Sequence, residues 1–346
     1  MSKGKKTLLI VATALVVSGC AISFGAFAAA GFNPENLSTE SRSWTPTTKT
    51  FRPEAESPHT AIVLRDEGQN VRIEATDGDA IEVTYWTNER KRFDVTDGGG
   101  TITVKGSHES YIGIMMIGSF EDHTTVVKVP RSYVGTLDVD LMGGSMDMTG
   151  LDGLDSVTAK TASGDVKLAR LVANDITTST ASGNVLISNA RCSQLNATTM
   201  SGNVDLSDIE ASEIVKLDTT SGSQLLRGVS ALALDAHIGS GDILATNVSA
   251  VDAKFDAVSG SVSASFVGSD REYAIEASSA SGSVHAPAGS ATASRHVSAH
   301  TMSGDVTLTF SGGGASSSES SASNPPSFPE APEAPKAPEA PAAPTL

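Results

Sequence analysis

A six-residue phrase returns down this chain at a nearly fixed interval: Ser-Gly, a small polar residue, a β-branched residue, any residue, then an aliphatic one. It reads SGDVKL from Ser163, SGNVLI from Ser182, SGNVDL from Ser201, SGDILA from Ser240, SGSVSA from Ser259, SGSVHA from Ser281 and SGDVTL from Ser303. SGSQLL from Ser221 is a looser copy, and GGSMDM from Gly143 a degenerate first one. Successive copies lie 20, 19, 19, 20, 19, 19, 22 and 22 residues apart. A unit this short cannot enclose a core, so its copies must stack, and the expected architecture is an all-β parallel solenoid.

Other positions repeat with the same period. Six residues before each Ser-Gly stand Leu137, Val157, Ile176, Leu195, Val215, Leu234, Ala253, Ile275 and Val297. Three after the Ser stand Met146, Val166, Val185, Val204, Gln224, Ile243, Val262, Val284 and Val306, and eight after it Leu151, Leu171, Ala190, Ile209, Val229, Val248 and Val267. These read as three inward columns on strands whose side chains alternate. The corner glycines, Gly144, Gly164, Gly183, Gly202, Gly222, Gly241, Gly260, Gly282 and Gly304, suit a bend that a Cβ would oppose. The Asp, Asn or Ser that follows each is expected to bond its own backbone in the turn. Right-handed coiling is the default for parallel crossovers. The two longer intervals place loops near 268–273 and 286–290 on the distal coils.

The flanks divide the chain further. Lys3, Lys5 and Lys6 precede an uncharged run over 7–32, long enough to cross a bilayer with the bulk outside. Three readings of 1–32 fit: an uncleaved signal anchor, a signal peptide cleaved after Ala28, or a lipoprotein acylated at Cys20 of Val17-Ser18-Gly19-Cys20. Residues 33–60 read as a linker, and 61–136 as alternating strands that cap the first coil. Within them SYIGIMMIGSF, at 110–120, reads as a strand or flap closing the core, or as an apolar contact patch. The solenoid occupies 137–310. Residues 311–346 pass from Gly/Ser into a tail with proline about every third position, which reads as disordered and extended.

The net charge of −16 argues against nucleic acid, whose phosphates need clustered Lys and Arg. Glycoside cleavage would need carboxylates facing one another across neighbouring coils. Corner residues Asp165, Asp242 and Asp305 instead stand several copies apart, and aromatics in the repeat region reduce to Phe255, Phe266, Tyr273 and Phe310. Calcium-loop and zinc spacings are missing, and His285, His296 and His300 do not converge along a strand. Cys192 reads as an inert small residue. No catalytic, cofactor or metal site is expected.

The repeated SG[DN]V-x-L, the VKVPRSYVGTLDVD stretch from Val127 and the N-terminal segment ending GFNPENL resemble the bacterial putative-adhesin β-strand-repeat family, domain of unknown function 4097. The resemblance spans roughly 40–310 and implies a membrane-anchored or secreted envelope protein without catalytic residues. An envelope polymer or a surface protein is the expected partner, and 7–32 the expected membrane contact. Envelope-stress sensing through a membrane partner is the second reading, and a polysaccharide-acting enzyme the third.

Overall fold

The computed structural model describes residues 44–52, 58–89, 91–108 and 123–312. The described residues hold nineteen strands: β1 (Thr45–Phe51), β2 (Ala61–Asp66), β3 (Val71–Thr76), β4 (Ile81–Thr87), β5 (Lys91–Gly98), β6 (Thr101–His108), β7 (Thr125–Pro130), β8 (Thr136–Leu141), β9 (Met146–Ser163), β10 (Val166–Ser182), β11 (Val185–Ser201), β12 (Val204–Ser221), β13 (Gln224–Ser240), β14 (Ile243–Ser259), β15 (Val262–Phe266), β16 (Tyr273–Ser281), β17 (Val284–His285), β18 (Arg295–Ser303) and β19 (Val306–Phe310). The signal or anchor segment with Cys20, the apolar run at 110–120 and the proline-rich tail lie outside the described residues.

From β8 to β14 the chain winds as a parallel β-solenoid whose coils lie in register. Ser163, Ser182, Ser201, Ser221, Ser240 and Ser259 pair in succession. Side chains of a straight strand alternate between faces, so each break in that alternation marks a bend. In β10 two neighbours, Leu168 and Ala169, are both buried, and Asn174 and Asp175 are both exposed; Ser182 and Gly183 then make the third break. Each coil therefore has three straight stretches and three corners, one more than the Ser-Gly corner and its two flanking strands suggested. At the added corner Gly150, Arg170, Asn189, Asp208, Gly228 and Asn247 take φ of 75°, 52°, 52°, 54°, 63° and 54°. All but Arg170 are residue types that enter the left-handed region readily.

The Ser-Gly corner owes its glycine to the neighbouring coil as well as to its own backbone. φ at Gly183, Gly202 and Gly222 is 150°, 144° and 140°. A Cβ on Gly202 would sit 1.9 Å from the Gly183 carbonyl oxygen, and one on Gly222 1.9 Å from that of Gly202. Gly202 N–H in turn donates to Ser221 O at 3.0 Å. One column inward, the Thr161, Thr180 and Thr199 hydroxyls donate to the carbonyls of Gly144, Gly164 and Gly183 at 3.1, 3.2 and 3.2 Å. These buried threonines are thereby satisfied without leaving the core.

Both ends depart from simple sequence order. Ser259 pairs with Ser303, and Ser303 in turn with Ser281. The last repeat, β18 and β19, is inserted between the coil of β14–β15 and the coil of β16–β17. The chain must climb two coils beyond Phe266 and descend one after His285, which accounts for both 22-residue intervals. Burial follows spatial order: Val306 of the last repeat is 0% exposed, whereas Val284 of the repeat before it is 42% exposed. The seventh residue of the third inward column, Val267, is exposed where the chain leaves the stack to climb.

The amino-terminal end repeats this arrangement. β2 pairs with both β6 and β8, and β3 with both β7 and β9, so 61–76 form a coil inside the stack. Three antiparallel strands cover the coil of β6–β7: β4 lies along β7, β5 along β6, and β1 along β4. A buried ion pair between Lys91 and Asp66 ties β5 to the end of β2.

Candidate binding face

Three classes of side chain line the outside of the stack. At the Ser-Gly corner the small polar residues bond the coil above and not their own turn. Asp165 Oδ1 accepts from Asn184 N at 2.8 Å, Asn184 Oδ1 from Asn203 N at 2.9 Å, and Asn203 Oδ1 from Ser223 N at 2.8 Å. Asp305 Oδ1 accepts from Ser283 N at 2.7 Å, again following the inserted order. These residues, with the corner glycines, form a structural seam. Their polar atoms are used internally, which leaves less to offer a ligand.

The second class lies on the outward side of the stretch preceding each Ser-Gly. Parallel register brings Asp218, His237, Asp256 and His300 into one column on consecutive coils. Lys216, Asp235, Lys254, Ser298 and Glu276 stand in the column beside it. Adjacent coils are about 4.8 Å apart, so each charge has opposite or titratable neighbours within Coulomb reach. Lys254 Nζ lies 2.6 Å from Asp256 Oδ2, and this hydrogen bond holds the ammonium pKa above its ordinary value. His300 is fixed between Ser278 Oγ at Nδ1 (2.8 Å) and Ser298 Oγ at Nε2 (2.9 Å). On the two coils before these the same columns carry Ser179, Thr198, Thr177 and Asn196, and on the coils before those Lys160, Thr158, Asp140 and Asp138, so a neutral polar stretch separates two charged ones.

All the column residues stand at a constant offset before Ser-Gly: Asp218, His237, Asp256 and His300 each lie three residues before their serine. The signal was in the repeat alignment, but the inward columns drew the reading. The left-handed corner was missed in the same way. Its Gly, Asn and Asp lie seven residues after each Ser-Gly start.

The third class is an exposed ion-pair set on the remaining stretches. Arg191 Nε and Glu210 Oε2 meet at 2.6 Å, and Arg227 holds Asp205 at 2.7 Å. The mutual hydrogen bond raises the Arg191 pKa and lowers that of Glu210.

The remaining candidates from the sequence do not come together. Asp165 and Asp242 lie on coils four apart, and Asp305 follows Asp242 with Ser261 between them. Phe255, Phe266 and Tyr273 are buried and Phe310 packs on them, with ring centroids 5.0–6.1 Å apart, so these rings fill the core near the carboxyl end. Burial, and then the Asp175 charge, push the Cys192 thiol pKa up to about 11, which leaves it protonated and unreactive at neutral pH. Among the described residues no three His, Cys, Asp or Glu side chains converge as metal ligands, and no helix is long and apolar enough to cross a membrane. An open groove of about 390 Å³ beside β16 is lined by Ala274, Glu276, Ala288, Ala291 and His296 among others. It lacks the enclosure of a small-molecule site.

Three solved structures resemble the chain at low identity. The "putative adhesin" of Parabacteroides distasonis ATCC 8503 is 14% identical, with a TM-score of 0.43 over 76% of this chain and 97% of that one. That of Parabacteroides merdae ATCC 43184 is 13% identical, with a TM-score of 0.40 over 77% and 96%. That of Bacteroides fragilis NCTC 9343 is 16% identical, with a TM-score of 0.38 over 76% and 97%. No curated protein matches the chain. The model of one family, Toastrack DUF4097, matches residues 59–309, which takes in every coil of the stack, and the chain belongs to that family.

Proposed function

We propose that this protein is a non-enzymatic binding or scaffold component of the bacterial cell envelope. Residues 7–32 would hold it at the cytoplasmic membrane with the solenoid outside, or would direct its secretion or lipidation. The observation that carries the reading is the outward face before the Ser-Gly corner. There a stack held in register by backbone bonds displays columns of Asp, His, Lys, Ser and Thr at one repeat per coil. Such a surface suits many weak polar contacts with a repetitive ligand, an envelope polymer or a protein partner, in place of one deep pocket. The burial of the solenoid aromatics and the separation of the corner aspartates favour binding over glycoside cleavage.

The test is retention of the purified protein on cell-envelope fractions, with the soluble phase assayed for released saccharide. Binding without product is expected. The double substitution Asp218→Lys and Asp256→Lys reverses the sign of one column, and it should change retention at least tenfold if that face carries the contact. Release of product, or retention indifferent to the column, would overturn the reading.

A further inference from the structure

Both of the chain's tryptophans stand at one place, on the solvent side of the amino-terminal cap. Along β4, Ile81, Val83 and Tyr85 are buried, so Glu82, Thr84 and Trp86 point away from the core. β1 lies beside β4 with Pro46 opposite Trp86 and Thr48 opposite Thr84, and the two threonine hydroxyls meet at 2.9 Å. Trp44, just ahead of β1, stacks on His123 with ring centroids 4.2 Å apart and planes 25° from parallel. Trp86 meets the same imidazole edge-on at 5.0 Å. Each of the three rings is half-buried. An outward strand position in water ordinarily takes a polar residue, as Glu82 and Thr84 illustrate.

The ring stack also joins the ends of two apolar runs that are far apart in sequence. Trp44 is twelve residues beyond Phe32, where the run at 7–32 ends, and His123 is three beyond Phe120, where the run at 110–120 ends. Glu121 and Asp122 separate that second run from His123. Twelve extended residues reach about 40 Å at most, so the cluster is tethered close to whatever surface holds 7–32. Residues 45–48, 84–88 and 124–127, beside the rings, carry no charge. They can approach hydrocarbon without stripping water from an ion.

We propose that the Trp44, His123 and Trp86 cluster is a membrane-contacting surface, which sets the amino-terminal end of the stack against the bilayer with both indoles at headgroup depth. The proposal rests on the membrane attachment proposed above, and it names the part of the folded chain that meets the lipid. Indoles favour that depth because one end of the ring is apolar and the other wet. Two such rings bind weakly by themselves, and the short tether keeps them at high effective concentration beside the lipid. The contact is apolar, since a chain of net charge −16 gains nothing from anionic headgroups. The coils then rise away from the membrane, and Ser278 of β16, in the outermost coil of the other end, is held clear of it.

The test uses the full chain in phosphatidylcholine vesicles, where flotation with the vesicles reads attachment separately. Trp44 and Trp86 are the chain's two tryptophans, so its indole emission reports this cluster alone. Bromine carried on the lipid acyl chain quenches an indole only on near contact. Emission should fall by about half or more when the bromine lies close to the headgroup, and by less when it lies near the methyl end of the lipid. Trp44→Phe and Trp86→Phe each leave one reporter, which should behave as the pair does. With both of those substitutions and Ser278→Trp, the reporter stands at the opposite end and its emission should not change. A chain that floats but keeps its full emission overturns this proposal and leaves the attachment standing, whereas a chain that fails to float overturns both. Quenching at Ser278→Trp equal to that of the parent would overturn it, as would parent emission that responds to soluble envelope glycan and not to bromine.

Discussion

At the scale of the residue, the corner glycine is where repeat sequence and stacked structure meet. Its recurrence was visible in the sequence, and so was the need for a bend. The second constraint was not, because it links one coil to the next: the Gly183 carbonyl occupies the space a Cβ on Gly202 would need. Gly202→Ala should therefore cost more than an ordinary surface-turn substitution. A φ of 144° is itself strained for alanine by about 1–3 kcal/mol, and the carbonyl must also move. We expect a loss of roughly 3 kcal/mol or more in urea melts, with Ser201→Ala close to neutral as the control. Gln224 shows the opposite kind of exception. It replaces the column's aliphatic residue, and it is fully buried with its Nε2 bonded to Thr219 Oγ1 at 3.1 Å and His237 O at 2.7 Å. The loose copy at Ser221 thus keeps its place through hydrogen bonds inside the core.

At the scale of the element, each coil depends on donors that a single residue can remove. Val204 N donates to Ser223 O at 3.0 Å and Val185 N to Asn203 O at 2.8 Å, both in the middle of the stack. Val204→Pro deletes one such donor and crowds the preceding residue, at a cost of about 3 kcal/mol or more. Because each coil touches only its neighbours, hydrogen exchange should accelerate first in β11, β12 and β13, with the ends of the stack last to respond. Uniform protection across all coils would contradict the arrangement. The strands themselves were legible from period-two columns, since alternation is a property of the local chain. The continuous run of β10 through a left-handed residue was less so, because Arg170 hides a corner that Asn189, Asp208 and Gly228 announce.

At the scale of the whole solenoid, the repeat made the stack legible but not its order. Nothing local distinguishes a coil that stacks on its predecessor from one that passes over it. The only trace was length: 22 residues in place of 19 or 20, which read as loops because a climb between coils and a surface bulge need the same extra chain. Insertion places the first and last coils in sequence order, β2–β3 and β18–β19, between neighbours, so each is held on both sides. Solenoids are ordinarily weakest at their terminal repeats, where a coil has one neighbour only. Here that exposed position falls to β16–β17 at one end and to β6–β7 under its antiparallel cover at the other. The outward charge columns inherit the same order, which is why His300 lies beside Asp256 and not beyond Ser278.

The coil order is tested most directly by amide contacts at the corners, read by nuclear Overhauser spectroscopy on the isotope-labelled chain. The structure places Gly260 N 2.8 Å from Ser303 O and Gly304 N 3.0 Å from Ser281 O. Cross-peaks joining the Gly260 amide to the Ser303–Gly304 segment, and the Gly304 amide to Ser281–Gly282, are the expected result. Cross-peaks joining Gly260 to Ser281–Gly282 would show the coils stacked in sequence order and contradict it.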